Sequence, residues 1–273
     1  MNCRVAVTAG ALTVWLTTVL TGCTAVSPPP DPRDLAPTPL LLLGELHDAP
    51  EHQALQRDTV HQLARRGQLA AVVLEMVEQD HSTARLPAHA SEAQVREALD
   101  WRAERNAGAW PWNTYGPVIM AAVRAGVPVV GGNLPRTQMR AAMGDTALDQ
   151  LLPEQTLQEQ RQAIRDGHCG LLPESQIAPM TRIQLARDRS MADTAVSQQR
   201  DTRTVLLIAG NGHVLKDRGI PRHLPTGLAH RVIVTLSRDA ESALGPGQAD
   251  RVWLTPPRPP KDHCADMKPS PDR

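Results

Sequence analysis

Leu40-Leu41-Leu42-Leu43-Gly44-Glu45-Leu46-His47-Asp48-Ala49-Pro50-Glu51-His52 reads as strand, tight turn and helix. The apolar run, bounded on its left by Pro37 and Pro39, has the length of a buried strand. Asp48 with Glu51 three residues later predicts a helix N-cap and capping box, and Pro50 suits the first turn. Glu45 and His47 then stand at the carboxyl end of a strand, where open α/β sheets keep their sites. The same grammar returns at Thr204–Ala209, whose exit is Gly210-Asn211-Gly212-His213. Both strands leave through Gly-x-x-His. A third run, Ala71–Leu74, ends in Glu75-Met76. If the three strands are parallel neighbours, Glu45, His47, Glu75 and His213 converge on one rim.

Outward from this core the chain predicts an α/β domain over 39–255. A mostly parallel central sheet carries helices on both faces, with a largely helical insertion. Glu51 to Arg66 reads as a helix stopped by Gly67, completing a βαβ unit whose two strands are parallel. Ser91 to Arg105 reads as a helix, Trp110–Pro117 as an aromatic loop, Val118–Ala125 as a short helix and Val127–Asn133 as a strand. Pro135 to Arg165 is helical with breaks at Gly144 and Pro153, and Glu174 to Arg200 is the longest helical pattern. On that helix Met180, Gln184, Arg187 or Asp188, Met191 and Ala195 share a face. Its polar members either border a site or pair at a rim, and the rim is preferred. His230–Leu236 and Arg251–Thr255 read as two further strands, the second at an edge.

Basic and acidic residues balance at 29 each, so no general electrostatic pull toward nucleic acid or acidic lipid is implied. Five Trp, one Tyr and no Phe leave the core to aliphatic residues and make Tyr115 conspicuous. Arg4, the apolar stretch Val5–Leu20 and then Leu20-Thr21-Gly22-Cys23 look like a bacterial lipoprotein signal, residues 1–22, ahead of an acylated Cys23. The alternative is an ordinary secretory signal with an incidental cysteine. Thr24 lacks the aspartate of inner-membrane retention, so the expected address is the bacterial cell envelope, anchored to the outer membrane. Residues 23–38 read as a Pro-rich tether and 256–273 as a disordered tail. Cys169 and Cys264 either pair in an oxidising compartment or remain free thiols.

Imidazoles with carboxylates suit divalent metals such as Mn, Zn or Co, and a metal-bound water hydrolyses substrates. The competing reading is that the histidines cap strand ends.

Leu43-Gly44-Glu45-Leu46-His47-Asp48, Leu74-Glu75-Met76, Trp112-Asn113-Thr114-Tyr115, Gly132-Asn133-Leu134-Pro135, the stretch from Gln184 to Ala192, and Gly210-Asn211-Gly212-His213 resemble, in this order, the ChaN family of haem-binding lipoproteins in the Tiki and erythromycin-esterase-like superfamily. The resemblance implies haem held by a tyrosine in a homodimer that stacks two haems, and exchange with an outer-membrane haem receptor. Tyr115 is then the ligand, a phenolate being a hard donor for ferric iron. His47 or His213 would support it, Met180 and Met191 would pack on porphyrin or fill the core, and Arg187 would pair a propionate. The superfamily also implies an alternative, a metal-dependent peptidase or esterase centred on Glu45, His47, Glu75 and His213. A third reading is a lipid-anchored scaffold with a vestigial site.

Overall fold

A computed structural model describes residues 31–32, 35–101, 110–200, 202–259, 261–262 and 264–265. The leader and Cys23 lie outside the described residues. Among these, no helix is long and apolar enough to cross a membrane.

Six parallel strands form one sheet in the order β3-β2-β4-β1-β5-β6. They are β1 (Leu40–Glu45), β2 (Leu69–Glu78), β3 (Val129–Asn133), β4 (Thr204–Gly210), β5 (His230–Ser237) and β6 (Arg251–Thr255). β1 and β2 are parallel, but they are not neighbours: β4 lies between them. That insertion seats the two Gly-x-x-His exits side by side, with Glu45 in register with Gly210. It also marks where the chain reverses direction across the sheet, the usual place for a ligand crevice.

Alternation along the strands separates two cores. Leu41, Leu43, Val72, Leu74, Leu206 and Ile208 pack with α1 (Pro50–Arg65) and α3 (Trp112–Arg124). Leu40, Leu42, Val73, Val205 and Leu207 point the other way, against Met191, Ala192 and Ala195 of α6 (Glu174–Ser197). Between β3 and α6 the expected helical insertion, α4 (Arg136–Gly144), a 3₁₀ segment (Thr146–Gln150) and α5 (Glu154–Gly167), closes on Leu134, Leu148, Leu157 and Leu185.

Several local expectations are corrected. Asp48 does not cap α1: the N-cap is Ala49, with no side-chain hydrogen bond, and Asp48 instead holds Arg258. A capping box does form at Ser91 and Gln94, opening α2 (Glu92–Ala98). That helix is shorter than expected, and residues 102–109 lie outside the described residues. The aromatic segment from Trp112 to Pro117 is the start of α3 rather than a loop.

The two ends of the domain are also better ordered than composition suggests. Leu35 is buried in the core, and Ala36 accepts a hydrogen bond from Arg231, so the tether ends earlier than residue 38. Beyond β6, Arg258 and Lys261 reach Asp48, and Cys264 forms a disulfide with Cys169 across a sequence separation of 95. The described part of the segment after Thr255 is therefore pinned to the body rather than disordered. Composition alone misses this because Pro and charge remove a segment's own core, not its cross-link.

Candidate functional site

Glycine spacing builds the rim. Gly44 lies so close to the short helix α7 (Asn211–Val214) that a Cβ there would collide with Asn211 Oδ1 and Val214. A Cβ at Gly210 would meet His47 Nε2 at 3.0 Å and Glu75 Oε2 at 3.5 Å. The chain's backbone thus forms the floor between one imidazole and one carboxylate.

Glu45 is buried and accepts four hydrogen bonds: from Tyr115 Oη (2.6 Å) and His47 Nδ1 (2.7 Å) on Oε1, and from Gln53 (2.7 Å) and Gln56 on Oε2. Because Oε1 is an acceptor, Nδ1 of His47 carries a proton, and in the neutral ring Nε2 keeps its lone pair, 3.8 Å from Glu75 Oε2. The His47 side chain is 37% exposed. Its ring packs T-shaped against Trp110, with centroids 5.9 Å apart. Burial lowers the His47 pKa, but the Glu45 hydrogen bond and the charges of Glu75 and Glu45 outweigh it, and the net direction is up.

Glu75 is the hub of the other half. Oε2 accepts from the Gly210 amide at 2.7 Å, and Oε1 accepts from Arg187 Nη2 at 2.6 Å. His47 Nε2 lies 3.8 Å from Oε2 and His213 Nε2 3.3 Å from Oε1. Burial pushes the Glu75 carboxyl up, yet His213, Arg187 and His47 together hold it well below the usual carboxylate range. His213 is buried, with Nδ1 on Asp188 and Nε2 on Glu75. Burial disfavours its charge, but the two flanking carboxylates prevail and raise it to about 9. His213 is therefore an imidazolium near neutral pH, with both nitrogens used.

The four rim residues expected from sequence come together. The polar face of α6 both borders this site and pairs there: Arg187 bonds Glu75 and Asn133, Asp188 pairs with His213, and the Gln184 side-chain amide lies 2.9 Å from His213 Nδ1. Arg187 is committed to these partners rather than presented to a propionate. Met191 is buried in the core beside Gly132, the gap-filling role, and Met180 is half-buried on α6. Tyr115 is only 1% exposed and donates to Glu45. Burial, with Glu45 next to it, pushes the phenol far above its ordinary value, so a phenolate donor is opposed by its surroundings.

Gln53 and Gln56 were missed by sequence reasoning. The signal was present: two glutamines sit on the side of α1 that otherwise buries Thr59, Val60 and Leu63. Asp188 was read as an ion-pair residue, and its partner is His213. Among the described residues no group of three or more His, Cys, Asp or Glu side chains stands ready to hold a metal.

Residues 32–224 match the family described as haem-binding uptake, Tiki superfamily, ChaN. The chain belongs to this family. Among solved structures, ChaN of Campylobacter jejuni, described as binding haem cofacially, is 21% identical. The match covers 80% of this chain and 86% of that one, with a TM-score of 0.64, and it carries the fold. The type III effector HopBA1 also matches, at 15% identity over 80% of this chain and 88% of that one, but its TM-score of 0.40 supports no argument. No curated protein matches in sequence. Within this ChaN family fold the conspicuous tyrosine is a buried donor, and the imidazole with an open face is His47.

Proposed function

We propose that this chain binds ferric haem at the rim formed by β1, β4 and β2, and that His47 Nε2 is the iron donor. Family membership supports haem as the ligand. The observation that carries the donor assignment is the Glu45–His47 pair: a carboxylate on Nδ1–H fixes the tautomer, orients the ring and strengthens Nε2 as a donor. Tyr115, buried and hydrogen-bonded to the same carboxylate, acts as a support for that pair. Cofacial binding, as described for the Campylobacter protein, would place two haems between two copies of this chain and make a homodimer the working unit. The role is haem or iron uptake in the cell envelope, with Cys23 acylated, the outer membrane as address and an outer-membrane haem receptor as exchange partner.

Titration of the protein with ferric haem, followed by its Soret absorbance, tests this. Saturable binding at one haem per chain, with a dimer forming alongside, supports the reading. A linear, unsaturated titration contradicts it.

One geometric fact favours a second reading. Both Nε2 atoms lie within 4 Å of Glu75 oxygens, and each Nδ1 is backed by its own carboxylate. If Glu75 released His213, these groups would suit a divalent metal and a hydrolytic water. A stoichiometric metal that survives dialysis, together with chelator-sensitive esterase or peptidase activity, would favour it over haem.

A further inference from the structure

The opposite end of the sheet carries a cluster that the rim does not use. Arg65 ends α1, Arg124 ends α3, Arg200 and Arg203 flank the turn into β4, Arg231 opens β5, and Arg85 follows Ala84 beside the entry to β3. Ala84, Pro128, Gln198, Arg200 and Arg203 line one cavity of about 400 Å³, which places α6's end and the starts of β3 and β4 together. All but the half-buried Arg231 are exposed. Some of these arginines serve the fold: Arg124 bonds the Ala88 and Ala90 carbonyls, and Arg200 bonds those of Ser197 and Gln199. Helix C-termini also favour cations. Arg85 and Arg203, however, have no side-chain partner among the described residues. The acids nearby are Asp31 and Asp58 on the α1 flank, Asp250, which accepts from the Val232 amide at the entry to β5 and pairs with Lys216, and, in sequence, Asp201. With no net charge on the whole chain, this is a local excess of positive charge.

The chain enters the domain at the same end. Asp31 and Pro32 lie beside Asp58, His61 and Arg65, and residues 35–39 lead directly into β1. Eight residue steps separate Asp31 from Cys23. Fully extended they reach roughly 26–29 Å. An anchor at Cys23 would therefore keep the arginine end, and not the His47 rim, next to the bilayer.

We propose that this arginine end is a docking face for anionic phospholipid headgroups, orienting the domain on the membrane with its ligand rim turned away. The orientation rests on the lipid-anchor reading above; the lipid contact itself does not. Juxtamembrane cations each contribute about 1 kcal/mol near an anionic surface, so a few of them change partitioning by orders of magnitude, and salt removes the effect.

The test uses the chain from position 23 with Cys23→Ser, which keeps every described residue and carries no acyl group. It is sedimented with vesicles of phosphatidylglycerol and phosphatidylcholine, and with phosphatidylcholine alone. The expected result is binding to the anionic vesicles only, weakened by raised salt. It should fall about tenfold or more in Arg200→Glu/Arg203→Glu and be retained in Arg200→Lys/Arg203→Lys. Thermal melts and circular dichroism show whether the variants fold. Equal binding to neutral vesicles, or an unchanged charge-reversal variant that melts like its parent, overturns the proposal. Mass spectrometry of the wild-type N-terminal peptide reports acylation of Cys23 separately, so a missing anchor and a missing lipid face are told apart.

Discussion

Glu45 does more at this rim than a spare ligand would. Its two oxygens gather a phenol, an imidazole and two amides, and each of those side chains is fixed by the carboxylate at the centre. Tyr115→Phe removes one hydrogen bond to a charged acceptor, and an unfolding titration should show a loss of about 1–2 kcal/mol. The effect stays modest because three partners remain on Glu45. The two histidines answer pH differently. His213 has a folded pKa near 9 against 6.5 for a free imidazole, so its contribution is complete below about 6.5 and is lost as pH rises through 9. Thermal melts should therefore show stability contributed by this residue declining between those values, and His213→Gln should flatten that slope. His47 acts on binding instead. Its raised pKa means that protons compete for Nε2, and haem affinity should weaken as pH falls through that value, beginning above the ordinary 6.5. At this scale sequence reading reached the four convergent side chains, since a strand's carboxyl end and a Gly-x-x-His exit are local features. It did not read the burial of Tyr115, because rarity in a composition says nothing about exposure.

α6 shows what an element hides until its neighbours are known. Its buried side mixes Leu185, Met191, Ala192 and Ala195 with Asp188 and Thr194. Periodicity alone could not say whether the polar members met solvent or a site. The answer lies in β4: once it inserts between β1 and β2, the exit at His213 comes to rest on Asp188 and Gln184. That placement is nonlocal, and neither segment's sequence contains it. Asp188→Asn removes one of the two carboxylates that keep His213 protonated. The His213 titration, followed by NMR, should move down from about 9. An unmoved titration would mean that Glu75 suffices alone. Gly131 has a similar lesson for β3: a side chain there would collide with the Glu78 carbonyl, so the glycine-rich exit serves strand closure.

The whole molecule has two unlike ends. The rim with Glu45, Glu75 and Asp188 faces one way, and the arginine end, where the chain enters, faces the other. The segment after β6 fastens part of the rim: Arg258 holds Asp48, next to His47, and Cys264 is bound to the α5–α6 turn through Cys169. For a loop of this length the chain-entropy account gives roughly 4–5 kcal/mol of stabilisation. Cys264→Ser should lower the melting temperature by roughly 10–20 °C and leave haem stoichiometry unchanged. The cysteine count left this pairing open, because nothing in a sequence states which distant thiols meet.

The most direct measurement is the ferric-haem absorption spectrum of His47→Ala beside Tyr115→Phe, each compared with the wild-type protein. Loss of the Soret shift in His47→Ala, with a wild-type spectrum in Tyr115→Phe, is the expected result. The reverse pattern, with His47→Ala binding normally and Tyr115→Phe binding nothing, would contradict the assignment of the iron donor and of the rim as its site.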